Sequence, residues 1–382
     1  MQITLGGITF EFEEVAALWR RLLGVARRKR SCLAEVDQER LAVALANAVM
    51  FLLNDRLADG VGKGGWGKSD CAYMTALYGS ETGSRVHESV MTTTVAVLAL
   101  KSYHRLVMGS SDEVARTRVS AMWDVVQEEL DEYLRGRWDE STGRGGVLTV
   151  GMDGLTALTP RYRHTGWLLE LWLALPKYSH RTRKTIERLF NDFESQKWGE
   201  EKVATPVAAH VALSYALGNK SISSVTDAGR AEHLLAELEQ LIEAKYLPRI
   251  NGWTAGLSVE GGRQLYTLFT LSDMSHAWKS RRSTLPATMQ AALSESLSAR
   301  WQAGGGGLAR SPGGPADVNV CCLAASALMR KPTLTRDESK ALSAVLGFLV
   351  SHMADGLDIL ARDAYSWTVA YLVKDVAGEL RG

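Results

Sequence analysis

Gly62-Lys63-Gly64-Gly65-Trp66-Gly67 sets glycine against tryptophan in one short loop, and the pairing recurs along the chain. Trp138, Trp198, Trp253 and Trp301 follow Trp66 at intervals of 72, 60, 55 and 48 residues, each in a short glycine-bearing segment. Gly356-Leu357 continues the series with leucine where an indole would stand. A polar amphipathic segment precedes each loop and a more apolar one follows it. Recurrence in fixed order at such a period is the signature of a repeat architecture, whose units bury their apolar faces by stacking on one another.

Working outward from the loops gives helix pairs. The first members run roughly over 38–58, 111–135, 179–197, 227–246, 285–300 and 335–354, with charge on one face and apolar residues at helical spacing, as in Ile186, Leu189, Phe190 and Phe193. Ser110 with Glu113 and Thr335 with Glu338 read as capping boxes. The second members run roughly over 85–109, 160–176, 203–218, 263–281, 315–330 and 363–380 and are apolar all round, the pattern of buried helices. Six outer and six inner helices make a closed (α/α)6 toroid, so the expected fold is all-α.

The N-terminus differs. Ile3-Thr4-Leu5 and Ile8-Thr9-Phe10 flank Gly6-Gly7, a β-hairpin signature, and an amphipathic helix follows, ending on Arg27-Arg28-Lys29-Arg30. The expected organisation is this hairpin and basic helix over 1–36 and the toroid over 37–382. Of the 382 residues, 46% are hydrophobic and 23% charged, with net charge +1, so no global field favours nucleic acid or an anionic membrane. No apolar run is long enough to span a bilayer and the first residues lack a signal-peptide pattern. Four cysteines, two of them vicinal, form no spaced disulfide framework, and a cytoplasmic location is expected.

Gly64-Gly65-Trp66 and Gly136-Arg137-Trp138, with Gln196-Lys197-Trp198 more loosely, resemble the glycine-x-tryptophan core of the repeats in squalene and terpenoid cyclases, whose toroid is shared by protein prenyltransferase β subunits. The small-residue run Thr92–Leu100 is similar to the inner helices of that superfamily. The resemblance covers about 50–380. It implies that the indoles and loop hydrogen bonds hold adjacent repeats together.

The chemistry the resemblance implies is incompletely equipped here. Class II cyclases protonate an alkene with a carboxylic acid in Asp-x-Asp-Asp; the closest register is Asp317-Val318-Asn319-Val320, where an amide replaces the middle acid. No Asp-Asp-x-x-Asp run offers to hold magnesium. The zinc sites of prenyltransferases and lanthionine cyclases have a partial counterpart in Asp317, Cys321, His164 and His210, without the families' Asp-x-Cys or Cys-His pairs, so no metal and no cofactor are expected. Gly62 to Ser69 matches the P-loop pattern letter for letter, but the segment before it has helical periodicity, where that loop needs a strand.

What remains is a polar and aromatic lining at the inner-helix entrances: Tyr162, Arg163, His164 and Trp167; Tyr266; Asp317 and Asn319; Tyr365 and Trp367. Such a rim suits a peptide or small ligand. The expected function is therefore a ligand- or protein-binding module at the toroid mouth. The alternatives are a non-standard enzyme of the cyclase or prenyltransferase type acting on an isoprenoid or peptide, and nucleotide binding at 62–69.

Overall fold

The computed structural model describes residues 2–26, 33, 36–57, 63–66, 89–150, 156–160, 162–195, 203–219, 221–222, 225–253, 263–280, 286–331 and 333–381. Fourteen α-helices dominate these residues, so the chain is mostly helical. All twelve helices expected from the periodicity are present. Among the described residues no single helix is long and apolar enough to cross a membrane. The chain divides into two compact units, Gly136–Leu342 and a discontinuous one of Met1–Arg135 with Ser343–Gly382.

In the discontinuous unit, strands β1 (Gln2–Leu5) and β2 (Ile8–Glu11) pair antiparallel with Leu5 opposite Ile8. Gly6 and Gly7 turn the hairpin at φ +54° and +81°, the positive values that such a two-residue turn demands. Helix α1 (Phe12–Ala26) follows directly; the basic run after it lies outside the described residues. The remaining helices are α2 (Gln38–Asn54), α3 (Val90–Met108), α4 (Glu113–Leu134), α13 (Leu357–Asp363) and α14 (Ser366–Arg381). Asp37, Ser89 and Asp112 cap α2, α3 and α4 with side-chain oxygens. The expected Ser110 box is thus displaced: Asp112 takes the Ala115 N–H at 3.0 Å, and Ser110 instead accepts from the Asp112 N–H.

Helix α3 packs most extensively on α14. Helix α2 departs from the expected outer, half-charged character. It touches α1, β1, α13 and α14, and from Leu41 to Leu53 only Val43 escapes burial. The hairpin and α1 cover what would be its outer face, which is why Ala44-Leu45-Ala46-Asn47-Ala48-Val49-Met50-Phe51 carries no charge.

The contiguous unit holds α5 (Tyr162–Ala174), α6 (Ser179–Glu194), α7 (Ala204–Gly218), α8 (Val225–Ala244), α9 (Arg263–Ser280), α10 (Ala287–Ser296) and α11 (Val318–Met329), and the start of α12 (Arg336–Ala354). Helices α5, α7, α9 and α11 pack in that order, while α6, α8 and α10 lie on α5, α7 and α9. The order of these paired helices along the chain is the one expected from the sequence. Every residue of α11 is buried. Gly166 permits the α5–α7 approach, since a Cβ there would stand 2.9 Å from the Ala208 carbonyl carbon. At α12 the expected capping box forms: the Thr335 N–H donates to Glu338 Oε2 at 2.9 Å and the Glu338 N–H to Thr335 Oγ1 at 3.2 Å.

A three-stranded antiparallel sheet was not expected. Strands β3 (Trp138–Asp139), β4 (Arg144–Val150) and β5 (Thr156–Pro160) fill the loop before α5, and β4 packs on α5. Its signal lies in Val147-Leu148-Thr149-Val150, a β-branched run behind Gly145-Gly146.

Candidate functional site

The starts of the more apolar helices share one recurring hydrogen-bond arrangement. Thr93 in the first turn of α3 accepts the Trp66 N–H at 2.9 Å and donates to the Trp66 carbonyl at 3.4 Å. The Trp66 indole N–H donates to the Leu52 carbonyl at 2.7 Å, one of the α2 carbonyls that has no partner within the helix. The same set recurs in the other unit. Thr267 of α9 accepts the Trp253 N–H at 3.1 Å and donates to its carbonyl at 3.4 Å, while the Trp253 indole donates to Ile242 at the end of α8 at 2.8 Å. One tryptophan thus ties the end of one helix to the start of the next. The preceding glycine is required for the approach: a Cβ at Gly252 would stand 2.2 Å from Thr267 Oγ1, and one at Gly65 would stand 2.3 Å from the Tyr133 ring.

The other loops correct the expectation that all the tryptophans play this part. In the second hairpin Thr165 accepts the N–H of Gly145, which lies opposite Trp138 in the sheet. Trp138 instead stands edge-on to Trp172, and the Arg181 guanidinium lies 5.0 Å from both rings and 5.3 Å from Tyr178. In the fifth, Leu308 fills the clamped position and bridges to Gln302, next to Trp301. There Cys321 replaces threonine: its Sγ accepts the Leu308 N–H at 3.2 Å and donates to the Leu308 carbonyl at 3.7 Å. Trp301, 1% exposed, is a core residue on the opposite arm. Trp198 lies outside the described residues, and Leu357 opens α13 half-buried. The signal missed in the sequence is the hydroxyl or thiol near the start of the inner helix, at Thr93, Thr165, Thr267 and Cys321.

These ties occupy residues that could otherwise carry chemistry. Burial, only partly offset by the Leu308 hydrogen bond, pushes the Cys321 thiol up to about 12, and burial also raises Cys322 well above the ordinary thiol range. Asp317 caps α11 by accepting the Val320 N–H at 3.0 Å, and it pairs with Arg310 at 3.0 Å. His210 bonds Glu239 at 2.8 Å. Among the described residues no three His, Cys, Asp or Glu side chains come together in a metal-holding group. Of the P-loop match, Lys63 to Trp66 are described. Lys63 pairs with Glu132 at 3.1 Å, and Gly64, at φ +78°, abuts the Glu129 carbonyl. The segment before them is helix α2.

The candidate ligand residues fall into local groups. On α5, His164 and Trp167 are buried with rings stacked at 5.5 Å, and half-buried Arg163 precedes them; the Tyr162 side chain lies outside the described atoms. Half-buried Tyr266 stands on α9 beside the clamp residue Thr267, and Asn319 is buried in the first turn of α11. Tyr365 and Trp367 stack at 6.2 Å at the start of α14. Between them the Ser366 hydroxyl donates to Asp55, a residue the sequence reading overlooked. Burial raises the Asp55 carboxyl above its usual range, with the Ser366 bond pulling the other way. In the comparisons with known proteins, the chain matches no protein-family model and no curated protein.

Proposed function

We propose that the chain is a ligand- or protein-binding module, built on a ring of six helical hairpins of the terpenoid-cyclase kind and working in a reducing cytoplasm. The observation that carries this reading is the employment of the entrance side chains. Asp317 and Cys321 hold a loop to a helix, as Thr93 and Thr267 do, and a thiol pushed up to about 12 is a poor nucleophile and a poor metal ligand. The aromatic pairs His164–Trp167 and Tyr365–Trp367 supply faces against which a ligand can pack. Fold alone assigns no activity, so the reading rests on these residues.

One observation favours the enzyme reading. Asp55, whose carboxyl burial keeps more readily protonated, stands beside Ser366 and the flanking Tyr365 and Trp367, where a proton donor would be held. Native mass spectrometry of the purified chain separates the two by reporting mass, oligomer, metal and retained ligand together. A retained peptide or small ligand, weakened by Trp367→Ala, supports the binding module. Turnover of a prenyl diphosphate that is abolished by Asp55→Asn would replace it with the enzyme. A rise in melting temperature with a nucleoside triphosphate, lost in Lys63→Ala, would instead indicate nucleotide binding at 62–69.

A further inference from the structure

Arg181, in the first turn of α6, is held by aromatic faces where a counter-ion would ordinarily stand. Its guanidinium lies 5.0 Å from the ring centroids of Trp138 and Trp172 and 5.3 Å from that of Tyr178. Trp172 and Tyr178 are buried, so two of the three walls belong to the core. The Arg181 Nε is shut in without a hydrogen-bond partner, as are the Trp138 and Trp172 indole N–H groups, so these rings hold the guanidinium by their faces alone. The amino end of this half-buried side chain is the part that reaches solvent. Among the described residues no carboxylate pairs with Arg181, nor with exposed Lys184 one turn further along α6.

The other arginines nearby are already paired. Arg183 bonds Glu187 at 3.0 Å, and Arg144 and Arg188 share the buried carboxylate of Asp192. Helix stability does not call for the remaining charge either. The stretch 177–184 holds four lysines and arginines and no acid, at the helix end where the macrodipole disfavours cations. Stacking does fit a binding role: a guanidinium fixed between rings loses little freedom on binding, and its fork offers paired N–H donors to a carboxylate. Exposed Lys177 lies over the same Tyr178 ring at 5.9 Å and widens the positive surface. The extent of that surface points to the class of partner. Arg181 to Lys184 is about 5 Å along the helix, and the whole chain carries a net charge of only +1. A nucleic acid draws on many phosphate contacts along a longer basic stripe, whereas a short acidic segment needs no more than this.

We propose that Arg181, with Lys177 and Lys184 beside it, is a docking surface for an acidic segment of a partner protein, Arg181 taking a carboxylate in its fixed fork. The surface goes beyond the module reading: it lies toward the C-terminal end of α5, away from the entrance residues 162–167, and stands whether or not those bind a ligand. The test is fluorescence anisotropy of a labelled octaglutamate peptide titrated with the full chain at low, fixed ionic strength, with octaglutamine as control and a thymidine octanucleotide in a parallel titration. Saturable binding of octaglutamate but not octaglutamine, weakened at least about ten-fold by Arg181→Gln and by Lys184→Glu, supports the surface. Lys184 is exposed, so its variant decides the question should Arg181→Gln fail to fold. The proposal is overturned if octaglutamate does not bind, if a folded Lys184→Glu binds it like the parent, or if the octanucleotide binds more tightly.

Discussion

Replacing Thr267 with valine isolates the clamp that joins outer to inner helices. Valine keeps the shape of threonine and removes only the hydroxyl, which accepts the Trp253 N–H at 3.1 Å and donates to its carbonyl at 3.4 Å. Trp253 is fully buried and Thr267 is 2% exposed, so water cannot replace the lost partner. An unsatisfied buried donor costs about 1–3 kcal/mol, which raises local opening by about 5- to 150-fold. Hydrogen exchange followed by mass spectrometry, on a fragment containing the Trp253 amide, reads that factor directly. Thr267→Ser is the control, since it retains the hydroxyl and keeps Trp253 protected. Exchange at Trp253 that is equal in Thr267→Val and the parent would refute the clamp.

Gly252→Ala places a Cβ 2.2 Å from Thr267 Oγ1 and destabilises by about 1–3 kcal/mol in urea unfolding; the penalty shrinks in a Thr267→Ala background, where the clashing oxygen is gone. Cys321→Thr installs the hydroxyl that three other entrances use, so the urea midpoint holds or rises; a loss of more than about 2 kcal/mol contradicts the equivalence. Asp317→Ala removes a cap worth about 0.5–2 kcal/mol and leaves metal content unchanged, whereas stoichiometric zinc lost in the variant would restore a metal site. Hydrogen bonds from the Ser141 and Thr142 hydroxyls hold the Asp139 carboxyl down at about 2. A folded pKa below the ordinary 3.8 stabilises the β3–β4 turn above that value, and the contribution fades as pH falls from there through about 2. Carboxyl NMR of the Ser141→Ala, Thr142→Val double variant should show the titration moving up toward 3.8.

Helix periodicity and glycine punctuation made the helices legible, because long amphipathic or wholly apolar stretches admit few alternatives. Asp112 displaced Ser110 as a cap since three capping residues, Ser110, Ser111 and Asp112, stand in a row, and local sequence does not choose among them. The burial of helix α2 was missed because its covering, α1 and the hairpin, comes from a segment whose docking no local pattern specifies. The site was less legible. Trp66, Trp138 and Trp301 look alike beside glycine, yet which arm of the loop carries the indole depends on bridge register. Arg56 pairs with Trp66, but Gln302 pairs with Leu308. The acid Asp55 is separated from Ser366 by most of the chain, so only the fold brings them together.

That long separation bears on how the protein is made. Asn47 donates to the Met353 carbonyl at 2.8 Å, and α2 and α3 both pack on α14. The unit containing α2 therefore lacks its final helix until synthesis has passed residue 366, whereas 136–342 is contiguous and complete earlier. During translation the apolar surfaces of α2 and α3 wait uncovered for a strand of chain still inside the ribosome. Contacts of such sequence separation form late, and the nascent α2–α3 region is where a holding chaperone would act.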